Sequence, residues 1–382
     1  MMKKLPPRSS LLFLGLFLFL GLAGQLWGQA ASQERADETN RLPREQLLLF
    51  HRADGSVGQA ESPEQWALRR AEIKRGVESI LGLLPGEEKR CPLDVRVDEE
   101  VDCGNYVRRL ISYASEPGCR VPAYLCIPKK LIDARESSVT APAVLCLHST
   151  DDSVGHGLVV GLGQQPNLAY ARELAERGFV TISPSYPLLA NYQPDLAGLG
   201  WSSGTLKAVW DNQRAIDLLE SLPQVRRGPI AAIGHSLGGH NAVFTAFFEP
   251  RIEVVVSSCG LDSFLDYYSG NEQVWLPEKG WTQTRYMPRL GEYRGRLEAI
   301  PFDFHELVAG LAPRRVLLVA PLGDSNFQAA SVDRIGDAAA PVFKLLQASE
   351  QLRILHPECK HDFPEQAREA AYKWIAEGLK PN

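Results

Sequence analysis

Short apolar runs alternate with amphipathic segments over most of the chain's C-terminal two thirds, and this order limits the possible folds more than any other feature. Apolar runs of strand length lie at residues 143–147, 180–183, 230–233, 253–257, 315–319 and 352–355. Helical spacing of apolar residues is found at 168–177, 205–222, 238–248, 340–348 and 364–379. Strands joined by helices favour a mostly parallel central sheet that is covered on both faces. We therefore expect an α/β fold.

Two further elements are predicted upstream of this region. Apolar residues recur at helical spacing through residues 63–84, where Pro85 and Gly86 end the pattern, so we expect a helix there. Two strand-like runs within residues 106–127 are separated by the tripeptide Glu-Pro-Gly at 116–118, which is typical of a hairpin turn.

Residues 1–30 have the pattern of a secretory signal peptide. Three cationic residues precede an apolar run at 11–24, and small residues suited to a signal peptidase follow, ending at Ala30. A membrane anchor is the alternative, but a span needs about 20 apolar residues and Gln25 interrupts the run. We expect cleavage near Ala30, a secreted or periplasmic protein that does not contact a membrane, and a flexible leader at residues 31–62.

The composition excludes some classes of protein. Of the 382 residues, 45% are hydrophobic and 23% are charged, which argues against a disordered or fibrous chain. Removal of residues 1–30 takes away three cations and no acids, so the net charge falls from −5 to −8. An acidic chain lacks the positive charge that attracts nucleic-acid phosphates. We therefore expect no nucleic-acid partner.

All seven cysteines lie after the predicted cleavage site, where an oxidising compartment permits disulfides. Cys126 and Cys146 lie inside strand-like runs and Cys259 follows one, which is typical of cysteines that act as small buried apolar residues. One disulfide among the others is compatible with the sequence, which leaves its pairing open.

A Gly-x-Ser-x-Gly motif occupies residues 234–238, directly after the predicted strand 230–233 and at the start of a predicted helix. In this context the motif is typical of a nucleophile elbow, a sharp turn that exposes a serine hydroxyl in a strained backbone conformation. Side chains at Gly234 or Gly238 would collide with the turn. A serine in an ordinary glycine-rich loop is the alternative, and the position between strand and helix favours Ser236 as a nucleophile.

Four motifs carry a family resemblance: Val121-Pro122-Ala123-Tyr124-Leu125, Leu145-Cys146-Leu147-His148, Gly234 to His240, and His361-Asp362-Phe363-Pro364. With them, the segment from about Trp66 to Leu379 resembles the dienelactone-hydrolase and acetyl-xylan-esterase branch of the α/β-hydrolases, especially secreted bacterial members. The resemblance implies an α/β-hydrolase fold and a catalytic triad, and it specifies the substrate much less.

A serine hydroxyl needs a histidine to remove its proton. In the α/β-hydrolase order the base follows the last strand, and His361 lies a short loop beyond the predicted strand 352–355. We therefore expect His361 to be the base. His356 is expected at the end of that strand, and His240 in local packing one helical turn after Ser236.

The loop at residues 356–361 also contains two histidines, a glutamate and a cysteine, which makes a metal site the alternative interpretation. Structural zinc sites draw such ligands from spaced segments, and a catalytic histidine already accounts for this loop. We therefore expect no metal and no cofactor.

The triad acid should follow the strand that precedes the base's strand. Asp324 follows the predicted strand 315–319 and fits this order. Asp262, after the predicted strand 253–257, is the alternative, because some hydrolases of this fold place their acid there. Chain order alone favours Asp324.

Two N–H groups are expected to stabilise the oxyanion that forms during acyl transfer. The first is that of Leu237, at the N-terminus of the helix behind Ser236. The second should come from the loop after the predicted strand 143–147, where many esterases carry a His-Gly-Gly-Gly run. This chain has His-Ser-Thr there, so the choice between Ser149 and Thr150 is open, and His148 can be a support of the loop.

Residues 262–306 break the strand–helix order and indicate an insertion over one end of the sheet, within a hydrolase domain at 63–382. Aromatic residues here and in one nearby loop can stack on a sugar or an aromatic acyl group, or can form a small core. They are Tyr267, Tyr268, Trp275, Trp281, Tyr286 and Trp201. Arg285 and Arg289 are equally compatible with solvent and with substrate contact.

These features favour a secreted serine esterase that hydrolyses acyl esters of polysaccharides or small molecules through an acyl-enzyme. One alternative is a non-catalytic protein of the same fold that binds a carbohydrate or a partner, which is disfavoured because no triad member is missing. A peptidase of the prolyl-oligopeptidase type is the other alternative, and the short segment before the domain disfavours it.

Overall fold

The computed structural model describes residues 41–133 and 139–380. Contacts divide the chain into Met1–Leu42 and Pro43–Asn382, and only the last two residues of the first unit are described. The predicted signal peptide lies outside the described residues, as does the leader up to residue 40. Within the described ranges, no helix is long and apolar enough to cross a membrane.

Most strands of the second unit belong to one large sheet. In chain order the strands are β1 (Leu49–His51), β2 (Val57–Gln59), β3 (Arg96–Asp102), β4 (Tyr106–Glu116), β5 (Cys119–Pro128), β6 (Ala143–Leu147), β7 (Val180–Pro184), β8 (Ile230–His235), β9 (Ile252–Ser258), β10 (Arg315–Val319) and β11 (Leu352–Leu355). β1 and β2 form a separate hairpin, and the other nine are ordered β11-β10-β9-β8-β6-β7-β5-β4-β3. The pairs from β11 to β7 are parallel, and β7, β5, β4 and β3 pair antiparallel.

Helices cover both faces of the sheet. They are α1 (Pro63–Leu81), α2 (Lys129–Ile132), α3 (Tyr170–Glu176), α4 (Gly204–Ser221), α5 (Leu237–Phe248), α6 (Phe304–Ala309), α7 (Ala329–Leu345) and α8 (Glu365–Gly378). In β6, Leu145 and Leu147 join the core under α1, α4, α5 and α7, whereas Val144 and Cys146 join the core under α3 and α8. A central strand buried on both faces is typical of a parallel sheet, and the predicted α/β architecture is confirmed.

Two elements differ from the sequence-based expectation. α7 begins at Ala329, about three turns before the predicted start at 340, and continues through Pro341. Buried Val332 and Ile335 hold this first half against the core, so packing outweighs the interruption that a proline causes in a helix. β3 was not predicted, because it is an exposed, mostly charged edge strand.

Residues 43–62, which belong to the predicted flexible leader, instead contain the β1–β2 hairpin. Leu47, Phe50 and Ala60 are buried in the same core as α1. The backbone N–H of His51 donates to Glu72 of α1 at 2.9 Å. The apolar residues before the hairpin turn therefore pack against α1. This packing explains why the segment is structured although its sequence shows no amphipathic period.

Candidate active site

Ser236 lies between β8 and α5, at the predicted strand-to-helix turn. Its φ of 54° and ψ of −123° are unusual for a residue other than glycine, and such strain is typical of functional turns. A Cβ at Gly234 would lie 2.1 Å from the carbonyl carbon of Gly238, and one at Gly238 would lie 1.9 Å from the carbonyl oxygen of Leu147. Both glycines are therefore required by the backbone that surrounds Ser236.

His361 and Asp324 are brought together by the loops that follow β11 and β10. His361 Nδ1 donates to Asp324 Oδ2 at 2.8 Å, and the His361 ring is 26% exposed whereas the carboxylate is fully buried. Burial acts to raise the pKa of Asp324, but the hydrogen bond and charge of His361 outweigh it, with help from the N–H groups of Asn326 and Phe327. The pKa of Asp324 therefore lies below its ordinary value, and the carboxylate stays charged.

Asp262, the alternative acid, is placed differently. It is 1% exposed, and its Oδ2 accepts a hydrogen bond from the N–H of Gln328 at 3.2 Å, not from a histidine. Burial raises its pKa to about 8, so the group is protonated at neutral pH. A triad acid must carry a negative charge beside a histidine, and Asp324 fits this requirement better than Asp262.

The other histidines near Ser236 occupy packed or bonded positions. His240 is fully buried and stacks on Trp281, and burial lowers its pKa to about 3. His235 contacts Ser258 Oγ at 3.1 Å, and burial lowers its pKa to about 3. His356 at the end of β11 bonds to the carbonyl of Ala320 and to a surface aspartate.

The loop after β6 carries the candidates for the second oxyanion donor. Ser149 Oγ donates to the carbonyl of His235 at 3.0 Å, and Thr150 Oγ1 lies 3.0 Å from Tyr286 Oη. His148 supports this loop, because its Nδ1 donates to the carbonyl of Ser149 at 2.7 Å while its Nε2 accepts from the N–H of Tyr186 at 2.9 Å. Burial lowers the pKa of His148 to about 4, which keeps this neutral form.

A cavity of about 790 Å³ opens above the turn at Ser236. Five predicted site residues line it together: Ser149, Thr150, Ser236, Leu237 and His361. Since both Ser236 and His361 line the cavity, a substrate bound in it would contact both side chains.

Aromatic side chains form much of the cavity wall. Four of them were singled out from the sequence and one, Phe327, was not; the full set is Tyr267, Tyr268, Trp281, Tyr286 and Phe327. Phe327 lies three residues after Asp324, and this closeness in sequence to the predicted acid could have identified it as a site residue. Polar lining comes from Gln165, Gln273, Lys279, Gln283 and Asn326, which no motif indicated, and from Asp362, which belongs to the motif that contains His361.

Other predicted candidates lie outside the cavity lining. Trp201 Nε1 donates to the buried carboxylate of Glu116, and Trp275 packs edge to face on Phe264 within the insertion. Arg285 pairs with Asp152 at 3.0 Å. Arg289 bonds to a backbone carbonyl of α1. Within the insertion, Trp275 therefore packs in a core, whereas Trp281 and three tyrosines line the cavity.

The potential metal ligands at residues 356–361 are not gathered into a site. His356 is bonded elsewhere, as described above, and the one described group with ligand atoms within 4.8 Å of one another consists of Cys259, Asp324 and His361. The His361–Asp324 hydrogen bond already engages two of these three groups.

The chain is similar in sequence to known esterases. A family model described as glucuronyl esterase, fungi, matches residues 195–347. A putative hydrolase of Bacillus subtilis, YtaP, is 24% identical over 81% of this chain and 100% of its own. A 4-O-methyl-glucuronoyl methylesterase of Wolfiporia cocos is 26% identical over 46% of this chain, and the match spans 43% of that protein.

Solved structures show the same fold. A glucuronoyl esterase from Solibacter usitatus superposes with a TM-score of 0.69 at 18% identity, covering 89% of this chain and 98% of that one. A putative acetyl xylan esterase from Bacteroides fragilis gives a TM-score of 0.52 at 18% identity, over 86% of this chain and 81% of that one. The predictions of fold and enzyme class are confirmed: the chain has the fold of the α/β-hydrolases, and the family model and the methylesterases that match it describe carboxylic ester hydrolases.

Proposed function

We propose that this chain is an exported carbohydrate esterase in which Ser236 is the nucleophile, His361 the base and Asp324 the acid. The observation that carries the proposal is the 2.8 Å contact between His361 Nδ1 and Asp324 Oδ2, in a site where His361 and Ser236 line one cavity. This arrangement leaves His361 Nε2 as the nitrogen that can take a proton from the serine hydroxyl.

The reaction proceeds in two steps. Ser236 Oγ attacks the ester carbonyl while His361 takes its proton, and the alcohol leaves with that proton to give an acyl-enzyme. Water then attacks the acyl group, His361 again acts as base, and the acid is released. The charged carboxylate of Asp324 stabilises the imidazolium that forms in each step, which is consistent with its lowered pKa.

The oxyanion of each tetrahedral intermediate is stabilised at the start of α5. The first N–H groups of a helix have no partner within the helix, and the helix dipole is positive at this end. Leu237 is the first residue of α5 and lines the cavity, so its N–H is one donor. Ser149 or Thr150 supplies the other from the loop that His148 supports.

Esters of carbohydrates, with sugar-acid esters first among them, are the proposed substrates. Support comes from the names of the fungal relatives, which act on glucuronoyl esters, and from the cavity's composition. Aromatic faces pack against the apolar faces of sugar rings, and amide side chains donate to and accept from hydroxyl groups. At the cavity wall, Tyr268, which is 40% exposed, supplies an aromatic face, and Gln273 supplies an amide side chain.

The substrate is tested by release of acid from four classes of compound: methyl esters of glucuronic acid, acetylated xylan, feruloylated sugars and peptide amides. The enzyme, Ser236→Ala and a matched control, Ser79→Ala on the exposed face of α1, are compared at equal concentration. We expect the enzyme and Ser79→Ala to cleave sugar esters faster than the other classes, and Ser236→Ala to be inactive. Cleavage of peptides alone would favour a peptidase, and tight glycan binding without turnover would favour a non-catalytic protein.

Export is part of the proposal and has its own measurement. The signal pattern of residues 1–30 supports it. Intact mass of protein from the native host should correspond to cleavage near Ala30. A mature protein that begins at Met1 would contradict export and leave the catalytic assignment unaffected.

A further inference from the structure

Two cysteines flank the triad acid. Cys259 directly follows β9, and Cys359 lies in the loop that carries His361. The Cys259 thiol donates to the carbonyl oxygen of Asp362 at 3.5 Å, and the Cys359 thiol lies 3.9 Å from the same oxygen. One oxygen atom thus lies within hydrogen-bonding distance of both thiols, although the two cysteines belong to different strand-end loops.

Cys259 is held in place by its backbone. Its φ of 47° is in the left-handed region, which residues other than glycine rarely adopt, and its N–H donates to the carbonyl of Val319 at 2.8 Å. The side chain is 2% exposed, and its sulfur lies within 4.8 Å of ligand atoms of Asp324 and His361. A strained residue beside a catalytic pair suggests a role for the side chain that is fixed there.

The Cys359 backbone is anchored against the loop of Asp324. Its carbonyl accepts a hydrogen bond from the N–H of Gly323 at 3.0 Å, and a Cβ at Gly323 would lie 2.8 Å from that carbonyl oxygen. Cys359 is half-buried, so a soluble oxidant can reach its sulfur more easily than that of Cys259. Both residues are free thiols in the structure.

We propose that Cys259 and Cys359 form a reversible disulfide that fixes the loop carrying His361. In the first step the Cys359 thiolate attacks a disulfide oxidant such as oxidised glutathione, which releases one glutathione thiol and leaves a mixed disulfide. The Cys259 sulfur then attacks the Cys359 sulfur and releases the second glutathione. Two thiols are oxidised, one glutathione disulfide is reduced, and two protons pass to the released thiols or to solvent.

The bond would act on the stability of the site more than on its chemistry. It closes a loop of about 100 residues and so removes conformational freedom from the unfolded chain. It would also tie the end of β9 to the residue two positions before His361. The benefit to catalysis rests on the proposed role of His361, whereas formation of the bond does not.

Peptide mapping tests the bond directly. The purified enzyme is equilibrated at pH 8 with reduced or oxidised glutathione, free thiols are alkylated, and the protein is digested with trypsin. Each partner then lies in a peptide with one cysteine, at residues 252–279 and 354–360. After oxidation we expect these two peptides to be joined, and after reduction we expect both to be alkylated. A glutathione adduct on Cys359 with an alkylated Cys259 would overturn the proposal, as would two alkylated peptides after oxidation.

Heat inactivation tests whether the disulfide stabilises the loop that carries His361. The oxidised enzyme should lose ester-hydrolysing activity on heating several-fold more slowly than the reduced enzyme, and Cys359→Ser should remove this difference while keeping the activity of the reduced enzyme. Cys103→Ser, which changes another half-buried thiol at the opposite edge of the sheet, is the matched control and should retain the difference. Equal inactivation rates in the oxidised and reduced enzyme would overturn the proposed fixing role. Peptide mapping does not require turnover, so it distinguishes failure of this proposal from failure of the proposed esterase function.

Discussion

The His240 ring stacks on the Trp281 indole, with centroids 4.3 Å apart and an angle of 15° between the planes. His240 belongs to α5, the helix behind Ser236, and Trp281 belongs to the insertion and lines the cavity. Trp281 also stacks on Tyr267, which lines the cavity as well. The cavity wall is therefore packed directly on the helix that follows the proposed nucleophile, Ser236.

Replacement of Trp281 should affect both stability and substrate binding. Trp281→Ala removes a side chain that is 4% exposed, so we expect the free energy of unfolding to fall by about 3–5 kcal/mol, together with a rise in KM for sugar esters. Trp275→Ala is the matched control, because Trp275 is 1% exposed but lies outside the cavity lining. It should cost similar stability and leave KM unchanged. Denaturant titrations and steady-state kinetics measure the two effects, and equal changes of KM in both variants would contradict the assignment of Trp281 to the substrate cavity.

Buried neutral histidines should make the fold sensitive to acid. Burial lowers the pKa of His240 to about 3, below the ordinary value of 6.5. The unfolded chain therefore binds a proton at this residue as the pH falls below 6.5, while the folded chain does not until about pH 3. The free energy of unfolding should decrease over this window, by up to about 1.4 kcal/mol per pH unit for this one residue.

The variant His240→Phe isolates this contribution. Phenylalanine fills a similar volume and can still stack on Trp281, but it cannot bind a proton. Denaturant titrations at several pH values between 7 and 4 should give a smaller decrease of stability for His240→Phe than for the unchanged protein. The same slope in both proteins would mean that His240 is protonated in the folded state.

The hydrogen bond between Tyr286 and Thr150 should support the oxyanion loop. Tyr286→Phe removes the hydroxyl that lies 3.0 Å from Thr150 Oγ1 but keeps the ring in the cavity wall. One lost hydrogen bond corresponds to about 0.5–1.5 kcal/mol, so we expect kcat to fall by roughly 2- to 12-fold, with KM nearly unchanged. Thr150→Val should give a similar loss. The double variant should lose no more than either single one, and strictly additive losses would show that the two hydroxyls act independently.

Chain order and motif context predicted the sheet and the triad candidates because each depends on local sequence. Apolar runs marked six parallel strands within two residues at each end, and Gly-x-Ser-x-Gly marked the turn at Ser236. The first half of α7 and the edge strand β3 were missed, since the first is held by tertiary packing in spite of Pro341 and the second is exposed and charged.

The cavity wall was harder to predict than the positions of the proposed catalytic groups. An aromatic residue in an insertion has the same local sequence whether it faces a substrate or packs in a core, so Trp275 and Trp281 could not be separated. Lys279 and Gln273 reach the cavity only because the insertion folds back over the turn at Ser236, and no periodic pattern in the sequence predicts that conformation. Likewise, the closeness of Cys259 to Cys359 depends on two loops that are about 100 residues apart in the chain.

Substitution of the triad candidates gives the sharpest prediction. Ser236→Ala and His361→Ala should each lower kcat by roughly 10⁴- to 10⁶-fold, and the double variant should lose no more, because the members of a triad act as a unit. Asp324→Asn should cost roughly 10⁴-fold, since it removes the charge that orients the His361 ring and stabilises the imidazolium. Circular dichroism and denaturant titrations establish that each variant is folded.

Asp262→Asn is the matched control for Asp324→Asn. Because burial raises the pKa of Asp262 to about 8, its carboxyl is neutral at pH 7, and asparagine replaces it without a change of charge. We expect kcat to stay within about tenfold, which corresponds to 1.4 kcal/mol of the activation barrier. The free energy of unfolding should also depend on pH, because the pKa of Asp262 is raised in the folded chain. The unfolded chain loses the proton of this carboxyl as the pH rises above 3.8, whereas the folded chain keeps it up to about pH 8. As the pH rises from 3.8 to about 8, the free energy of unfolding of the unchanged protein should therefore decrease relative to that of Asp262→Asn. If Asp262→Asn instead abolished turnover and Asp324→Asn did not, the acid of the triad would be Asp262, and the 2.8 Å contact between His361 and Asp324 would be structural.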